Sequence, residues 1–213
     1  MKIRFSEKCH FDNEKIAILS KNKKQTEQTL FSRAKSGDSS AFREIFDNYQ
    51  KRVYSVAFGI LGNNYWAEEA TQEVFVRIFR SISNYDVRRK FFTYLYRITV
   101  NVCFDLLKRE KSRAVEFVDP EEKQLAEKAE KFDSNPLKKI EHKEFFKKIQ
   151  QLIQRLGLNQ RTAFILRDLE GRNTKEIAKI LKCRKSTVRA HLHFARKSIK
   201  EKIEAEYPEF LED

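Results

Sequence analysis

Between Thr174 and Ile199 the chain reads TKEIAKILKCRKSTVRAHLHFARKSI, and its apolar residues recur at spacings of three and four, which a helix gathers onto one side. Ile177, Ala178, Ile180 and Leu181 define a first short helix, for which Thr174 is a natural N-cap. Lys182, Cys183, Arg184 and Lys185 interrupt the pattern. A second helix is predicted from Ser186 or Thr187, both capping types, with its stripe on Val188, Leu192, Ala195 and Ile199. Its opposite face carries Ser186, Arg189, Ala190, His193, Arg196 and Lys197, a basic ridge with small and hydrogen-bonding residues between the charges. Two short helices about a tight basic turn make a helix-turn-helix, whose second helix can lie in a DNA major groove. From these residues alone, a helical hairpin with a solvated basic face is the alternative.

Composition narrows the choice of partner. A formal charge of +13 on 213 residues, 35% of them charged, with no apolar run of transmembrane length, points to nucleic acid before lipid and excludes membrane insertion. The N-terminus lacks the apolar stretch of a signal peptide, so a cytoplasmic protein is expected. Cys9, Cys103 and Cys183 are far apart and form no CxxC pair, which predicts reduced thiols. Cys9 and His10 are neighbours, and two adjacent ligands do not build a tetrahedral site, so no metal is expected. Only 5 Gly and 3 Pro, with no alternating strand pattern, predict an all-α protein.

In chain order, residues 1–24 are lysine-rich without a defined apolar face and read as a poorly ordered basic extension. A short helix over Gln25–Ser36 ends at Gly37, and Asp38 caps a long helix with Ala41, Ile45, Tyr49, Val53, Val56, Ala57 and Ile60 on its buried face, stopped by Gly62 and Asn63-Asn64. A third helix, about Tyr65 to Ser81, buries Ala67, Ala70, Val74 and Ile78 and turns Glu68, Glu69, Gln72 and Glu73 outward. In so basic a chain this acidic patch serves either the helix macrodipole or a basic partner. A fourth helix within Tyr85–Arg109 has a stripe of Leu95, Ile98, Val102 and Leu106. Phe91, Phe92, Tyr94 and Tyr96 crowd its start beside Arg88, Arg89, Lys90 and Arg97. Four aromatics in six residues cannot all face one core; rings interleaved with arginines suit the stacking of unpaired bases, although packing on the second helix accounts for one or two of them. Asn101, Asp105, Lys108 and Arg109 extend the polar face.

The runs GDSSAFREIFDNY, AEEATQEVFVRIF, FFTYLYRITVNVCFDLLKR, LGLNQRTAFILRDLEGRNTKEIAKIL and STVRAHLHFARKSI together resemble the extracytoplasmic-function (ECF) group of bacterial RNA polymerase sigma factors, in order and over roughly residues 25–109 and 137–203. The resemblance implies two small helical domains joined by a flexible linker: a region 2-like domain at 25–110, an acidic linker at 111–136 and a region 4-like helix-turn-helix domain at 137–205. It implies RNA polymerase core and promoter DNA as partners, and brings an anti-sigma factor into consideration. Glu68, Glu69, Gln72 and Glu73 would dock on the β′ coiled coil, with region 4 at the β flap. Arg88, Phe92, Tyr94, Tyr96, Arg97, Asn101, Asp105, Lys108 and Arg109 would recognise and melt the minus-ten element. Arg184, Lys185, Ser186, Thr187, Arg189, Ala190, His193, Arg196 and Lys197 would read the minus-thirty-five element. No cofactor is expected, and the free chain would be monomeric.

Some positions depart from the family pattern. Thr99 replaces an alanine, Tyr94 a tryptophan, and Phe194 a frequent arginine; Lys182 and Arg184 stand where the turn usually has Gly and Pro, and Ser186 replaces a common Gly. A non-glycine at positive φ costs about 1 kcal/mol or more, so the turn either differs or carries that strain. In the second block a helix over Leu137–Leu156 ends at Gly157, and Asn159 is predicted to cap a helix from Gln160 to Leu169. No phosphate-binding loop, metal cluster or nucleophile–base set is present in the sequence, so no catalytic role is expected. A stand-alone helix-turn-helix regulator accounts for the basic ridge but leaves the acidic patch and the surplus aromatics idle. A plain adaptor accounts for the patch alone.

Overall fold

Helix boundaries follow the capping chemistry. A computed structural model describes residues 28–86, 90–116 and 148–206, and these residues contain helices and no strand. The expectations for residues 1–24, for Arg88 and for most of the linker lie outside the described residues. Helix α1 (28–35) ends at Gly37, whose φ of 93° lets the Asp38 N–H reach back to the Arg33 carbonyl at 3.1 Å. Asp38 then caps α2 (Ser39–Leu61), its carboxylate accepting from the backbone N–H groups of Ser40 and Ala41. Gly62, with φ 72°, terminates α2 and Asn63 caps α3 (Asn64–Ser81). The predicted apolar faces are the buried ones: Ile45, Val53, Val56, Ala57 and Ile60 on α2, and Ala67, Ala70, Val74 and Ile78 on α3.

The fourth helix differs from expectation at both ends. It runs Phe91–Glu116, because a single 3₁₀ turn (Ile82–Asn84) and extended Tyr85 fill the space before it, while Glu110–Glu116 contain only residues compatible with helix continuation. Tyr85 is buried there, its ring edge-on to Phe31 and Phe91.

In the second half, α5 (148–154) leads to α6 (Leu158–Phe164), which continues as a π-helical turn over Ile165–Leu169. Gly157, not Asn159, holds the N-cap position of α6, since Leu158 already has helical geometry. Helix α7 (Thr174–Ile180) is capped one residue earlier than expected, by Asn173, because Asn173 and Glu176 form a reciprocal capping box. Helix α8 (Lys185–Glu206) also starts earlier, which puts Ser186 and Thr187 inside its first turn. Val188, Leu192, Ala195 and Ile199 are buried against α6 and α7.

The two halves touch: α2 meets α6 and its π turn, and α4 meets α7. The C-terminal turn of α2 therefore abuts the second half, and the aromatic start of α4 faces the turn that precedes the helix-turn-helix.

Candidate nucleic-acid interface

Helix α3 presents Glu68, Glu69 and Gln72 to solvent, with Glu73 half-buried. Tyr65 (67% exposed) and Phe79 (61%) stand at the ends of the same outward seam, seven residues either side of Gln72, and exposed Val76 lies between. The Phe79 ring meets Phe42 edge-on, which fixes it despite its exposure. Glu73 is not free: Arg77 Nε donates to it at 2.7 Å and Arg77 Nη1 donates to Asp105 at 3.0 Å, stitching α3 to α4. The hydrogen bond to Glu73, with Asp105 behind it, raises the Arg77 pKa further and makes the guanidinium a fixed charge.

The aromatic cluster divides in two. Phe91 and Tyr96 are buried, whereas Phe92 and Tyr94 are half-buried. Tyr94 stands where the family carries tryptophan, and its hydroxyl shares a 2.6 Å hydrogen bond with Ser81 Oγ. Phe92 lies edge-on to Tyr49, with the Arg52 and Arg172 guanidinium carbons 5.3 and 4.9 Å from its ring centre. Tyr96 corrects the sequence reading: it is fully buried in this arrangement, and its hydroxyl donates to Glu170 at 2.5 Å. Burial, then the bond to Glu170, raises its pKa and keeps the phenol neutral. The reason is helical phase. Tyr96, Thr99 and Cys103 follow one another at three and four residues, a second buried stripe beside Phe91, Leu95 and Val102. Thr99 fits there because its hydroxyl donates to the Leu95 carbonyl at 3.0 Å. Burial pushes the Cys103 thiol up to about 12, so it is an inert packing residue.

Arg97, Asn101, Asp105, Lys108 and Arg109 are all exposed, but Asp105 is engaged by Arg77 and so holds a neighbour in place. Two clefts open beside Tyr94. One, of ≈ 1070 Å³, is lined by Lys90, Thr93, Arg97 and, from the second half, Lys175 and Lys179. The other, of ≈ 460 Å³, brings Arg77, Arg80 and Asn84 to Asn101. Arg80, Asn84, Lys175 and Lys179 escaped the sequence reading, since only the meeting of α3, α4 and α7 brings them to Tyr94.

Arg184 in the turn before α8, and Lys185, Ser186, Arg189, Ala190, His193 and Lys197 on it, are exposed as the basic ridge requires, and Thr187 is half-buried. Arg189, His193, Arg196 and Lys197 line one side of a groove with Arg167, Thr174 and Lys200. Arg196 is held by Asp168 at 2.7 Å. Phe194 is 55% exposed beside the His193 ring. The turn before α8 carries strain at one residue: Lys182 has φ 51°, and the Cys183 N–H closes on the Ala178 carbonyl at 3.0 Å.

Comparison with known proteins accords with this arrangement. Sigma-70 region 2 matches residues 45–113 and Sigma-70 region 4 matches residues 146–199. The ECF RNA polymerase sigma-E factor of Haemophilus influenzae is 32% identical over 187 residues, 84% of this chain and 96% of that protein. The ECF RNA polymerase sigma factor SigW of Bacillus subtilis is 30% identical over 172 residues, 79% and 92% of the two chains. Among solved structures, CnrH in complex with the cytosolic domain of CnrY superposes with a TM-score of 0.63 at 17% identity, covering 84% of this chain and 97% of that one. The sigma factor RpoE of Bartonella quintana, in complex with the anti-sigma factor NepR, gives 0.64 at 15%, covering 76% and 96%. These two support the all-helical, two-domain fold. The chain belongs to the extracytoplasmic-function group of the sigma-70 family, the subunits that give RNA polymerase its promoter specificity at transcription initiation.

Proposed function

We propose that this sigma factor divides its work among three surfaces: α3 docks on the β′ coiled coil of RNA polymerase core, the exposed side of α4 holds the melted minus-ten strand, and α8 reads the minus-thirty-five duplex. The observation that carries this reading is that exposed carboxylates gather on the N-terminal half of α3, while exposed cations lie along α4 and the N-terminal half of α8. Glu68, Glu69 and Gln72 line an outward seam of α3, while Arg97, Asn101, Lys108 and Arg109 are exposed along α4. In a chain of charge +13, an exposed acidic seam with apolar ends suits a basic helical partner, because complementary charge orients the approach and the rings supply buried area. Tyr94 with Arg97 and Asn101, and Arg80 from α3, would stack and hold unpaired bases. Arg189, Ala190 and His193 would meet base edges in a major groove, each good pairing contributing about 1–3 kcal/mol of discrimination.

The domain limits carry over as a region 2-like unit at 25–110 and a region 4-like unit at 137–205, the latter also resting on the β flap. The protein is proposed to act in the cytoplasm, where its enzyme and template are, and to catalyse nothing itself. Because two neighbours of the fold were captured with CnrY's cytosolic domain and with the anti-sigma factor NepR, an inhibitory partner of that kind is proposed here too.

The test mixes purified protein with polymerase core and a duplex library. Glu69→Lys is expected to weaken core binding, and Arg189→Ala to leave it intact while reducing promoter selection. Tight, selective duplex binding without core would instead favour a stand-alone regulator; core binding without promoter-specific transcripts would favour an adaptor.

A further inference from the structure

The second half is anchored through the end of α2, where Gln154 Nε2 donates to Gly59 O at 2.7 Å and Arg161 Nη1 to Ile60 O at 2.6 Å, and the outward face of α8 stays exposed. That face has two unlike flanks. On one, Arg189, His193, Arg196 and Lys200 line a groove of ≈ 510 Å³ with Arg167, and both carboxylate oxygens of Asp168 hold the Arg196 guanidinium, at 2.7 and 3.4 Å. On the other, Thr187, Ala190 and Phe194 follow one another at three and four residues, so they share one side of the helix. Ala190 and Phe194 are exposed and Thr187 is half-buried. None of the three carries a charge, and none lines the basic groove. The Phe194 ring is 55% exposed, and an edge-on contact with the His193 ring, 5.7 Å between centres, restrains it.

We infer that Thr187, Ala190 and Phe194 form an apolar reading edge that takes thymine C5-methyl groups of the promoter duplex, and that Phe194 makes thymine, not guanine, the preferred base at the position it meets. This rests on the reading of α8 as the helix that enters the minus-thirty-five major groove, and deepens it by naming a base chemistry. In that groove the thymine methyl is the apolar feature the other bases lack, and alanine, the threonine methyl and phenylalanine are side chains that suit it. A phenylalanine ring has no N–H or O–H, so it cannot make the paired donations by which arginine or lysine reads guanine. Set against the polar edge of another base, the ring would displace water and return no hydrogen bond. The spacing also fits: from Thr187 to Phe194 the helix rises about 10 Å, about three base-pair steps. The opposite flank supplies the complement, since Arg167, Arg196 and Lys200 suit the phosphates of one strand and so set the roll of α8 that brings Ala190 and Phe194 to base edges.

The experiment uses the full chain assembled with polymerase core. Selection from a duplex library randomised upstream of the start site gives the preferred minus-thirty-five element. Fluorescence anisotropy then compares that promoter with versions in which each thymine of either strand is replaced in turn by deoxyuridine, which removes the methyl group and keeps every hydrogen-bonding group. One replacement is expected to weaken binding of the wild-type holoenzyme about fourfold. The same replacement should have little effect on Phe194→Ala, because the two losses are one contact and do not add. Phe194→Arg should move the preference at that base pair from thymine to guanine. The proposal falls if the selected element has no thymine, if no replacement weakens the wild type, or if Phe194→Ala stays as sensitive as wild type. It also falls if Phe194→Arg selects the same base as wild type, or if Phe194→Ala loosens the complex with core in the absence of DNA, which makes the ring part of a protein contact. Arg189→Ala separates these failures from failure of the wider reading: reduced promoter selection leaves α8 as the duplex reader and removes only the apolar edge, whereas unchanged selection removes the reading of α8 itself.

Discussion

Lys182 occupies a left-handed backbone position at which the helix-turn-helix would be relaxed by glycine. Its Cβ crowds the neighbouring carbonyl at φ 51°, so Lys182→Gly should stabilise the second half by about 1 kcal/mol, read as a raised thermal midpoint. That the turn departs from the family's Gly and Pro was legible in the sequence; that the departure is tolerated as strain is decided by the Schellman-type closure of Cys183 on Ala178. Asp38 is the converse, a capping residue identified correctly from its neighbours. Hydrogen bonds from the Ser40 side chain, the Ala41 backbone and Arg33 hold its carboxyl far below the usual carboxylate range. Because the folded pKa is depressed, its contribution is fully present above the ordinary carboxylate value and is lost as pH falls through the depressed one. Asp38→Asn, which preserves a capping oxygen, should therefore flatten the acid limb of stability measured by thermal unfolding against pH. Asn173 was missed as a cap because Thr174 beside it is an equally natural one, and the reciprocal bonds with Glu176 decide between them; Gly157 was missed because Asn159, two residues on, offers a capping oxygen, and only the helical geometry at Leu158 rules it out.

At the scale of the helix, α3 shows how far a 3.6-residue period reaches. Ala67, Ala70, Val74 and Ile78 of its buried set were predictable from spacing alone, whereas buried Phe75, edge-on to Phe46, was not among the residues named. Truncating the exposed seam should test its apolar ends: Phe79→Ala is expected to slow neither folding nor DNA binding but to raise the dissociation rate from core polymerase, measured by surface plasmon resonance. On α4 the same period was insufficient. Tyr96 reads as polar-faced beside Arg97, yet it closes a stripe with Thr99 and Cys103 that is completed only when Glu170 arrives from a segment seventy-four residues away. Non-local pairing of this kind leaves no periodic trace, which is also why Arg80 and Asn84 were not seen beside Asn101. Tyr94→Ala should impair promoter opening, followed by permanganate footprinting, without affecting assembly with core.

Considered whole, the molecule is two helical bodies sharing one set of helix-end hydrogen bonds. Arg161 spans them, its guanidinium donating to Ile60 of the first half and to Gln154 and Leu156 of the second, with burial as the reason its pKa is lowered. Calorimetry of the wild type is expected to show one cooperative transition, and of Gln154→Ala/Arg161→Ala two, because removing the shared donors lets each body unfold at its own temperature. The all-α, two-body plan was readable from composition and motif order, whereas the mutual docking was not, since α2 ends in Gly59-Ile60-Leu61 with nothing local to announce that its carbonyls are met from elsewhere. A final consequence concerns the Glu73–Arg77–Asp105 chain. One guanidinium there is shared between a carboxylate on α3, the helix proposed to face the enzyme, and another on α4, the helix proposed to face the strand. A cation from the polymerase that recruits Glu73 withdraws half of the negative charge balancing Arg77, and the surface next to Asn101 becomes more electropositive. On the proposed assignment, attachment to the enzyme would tune the attraction for unpaired DNA through a single side chain, with no helix having to move.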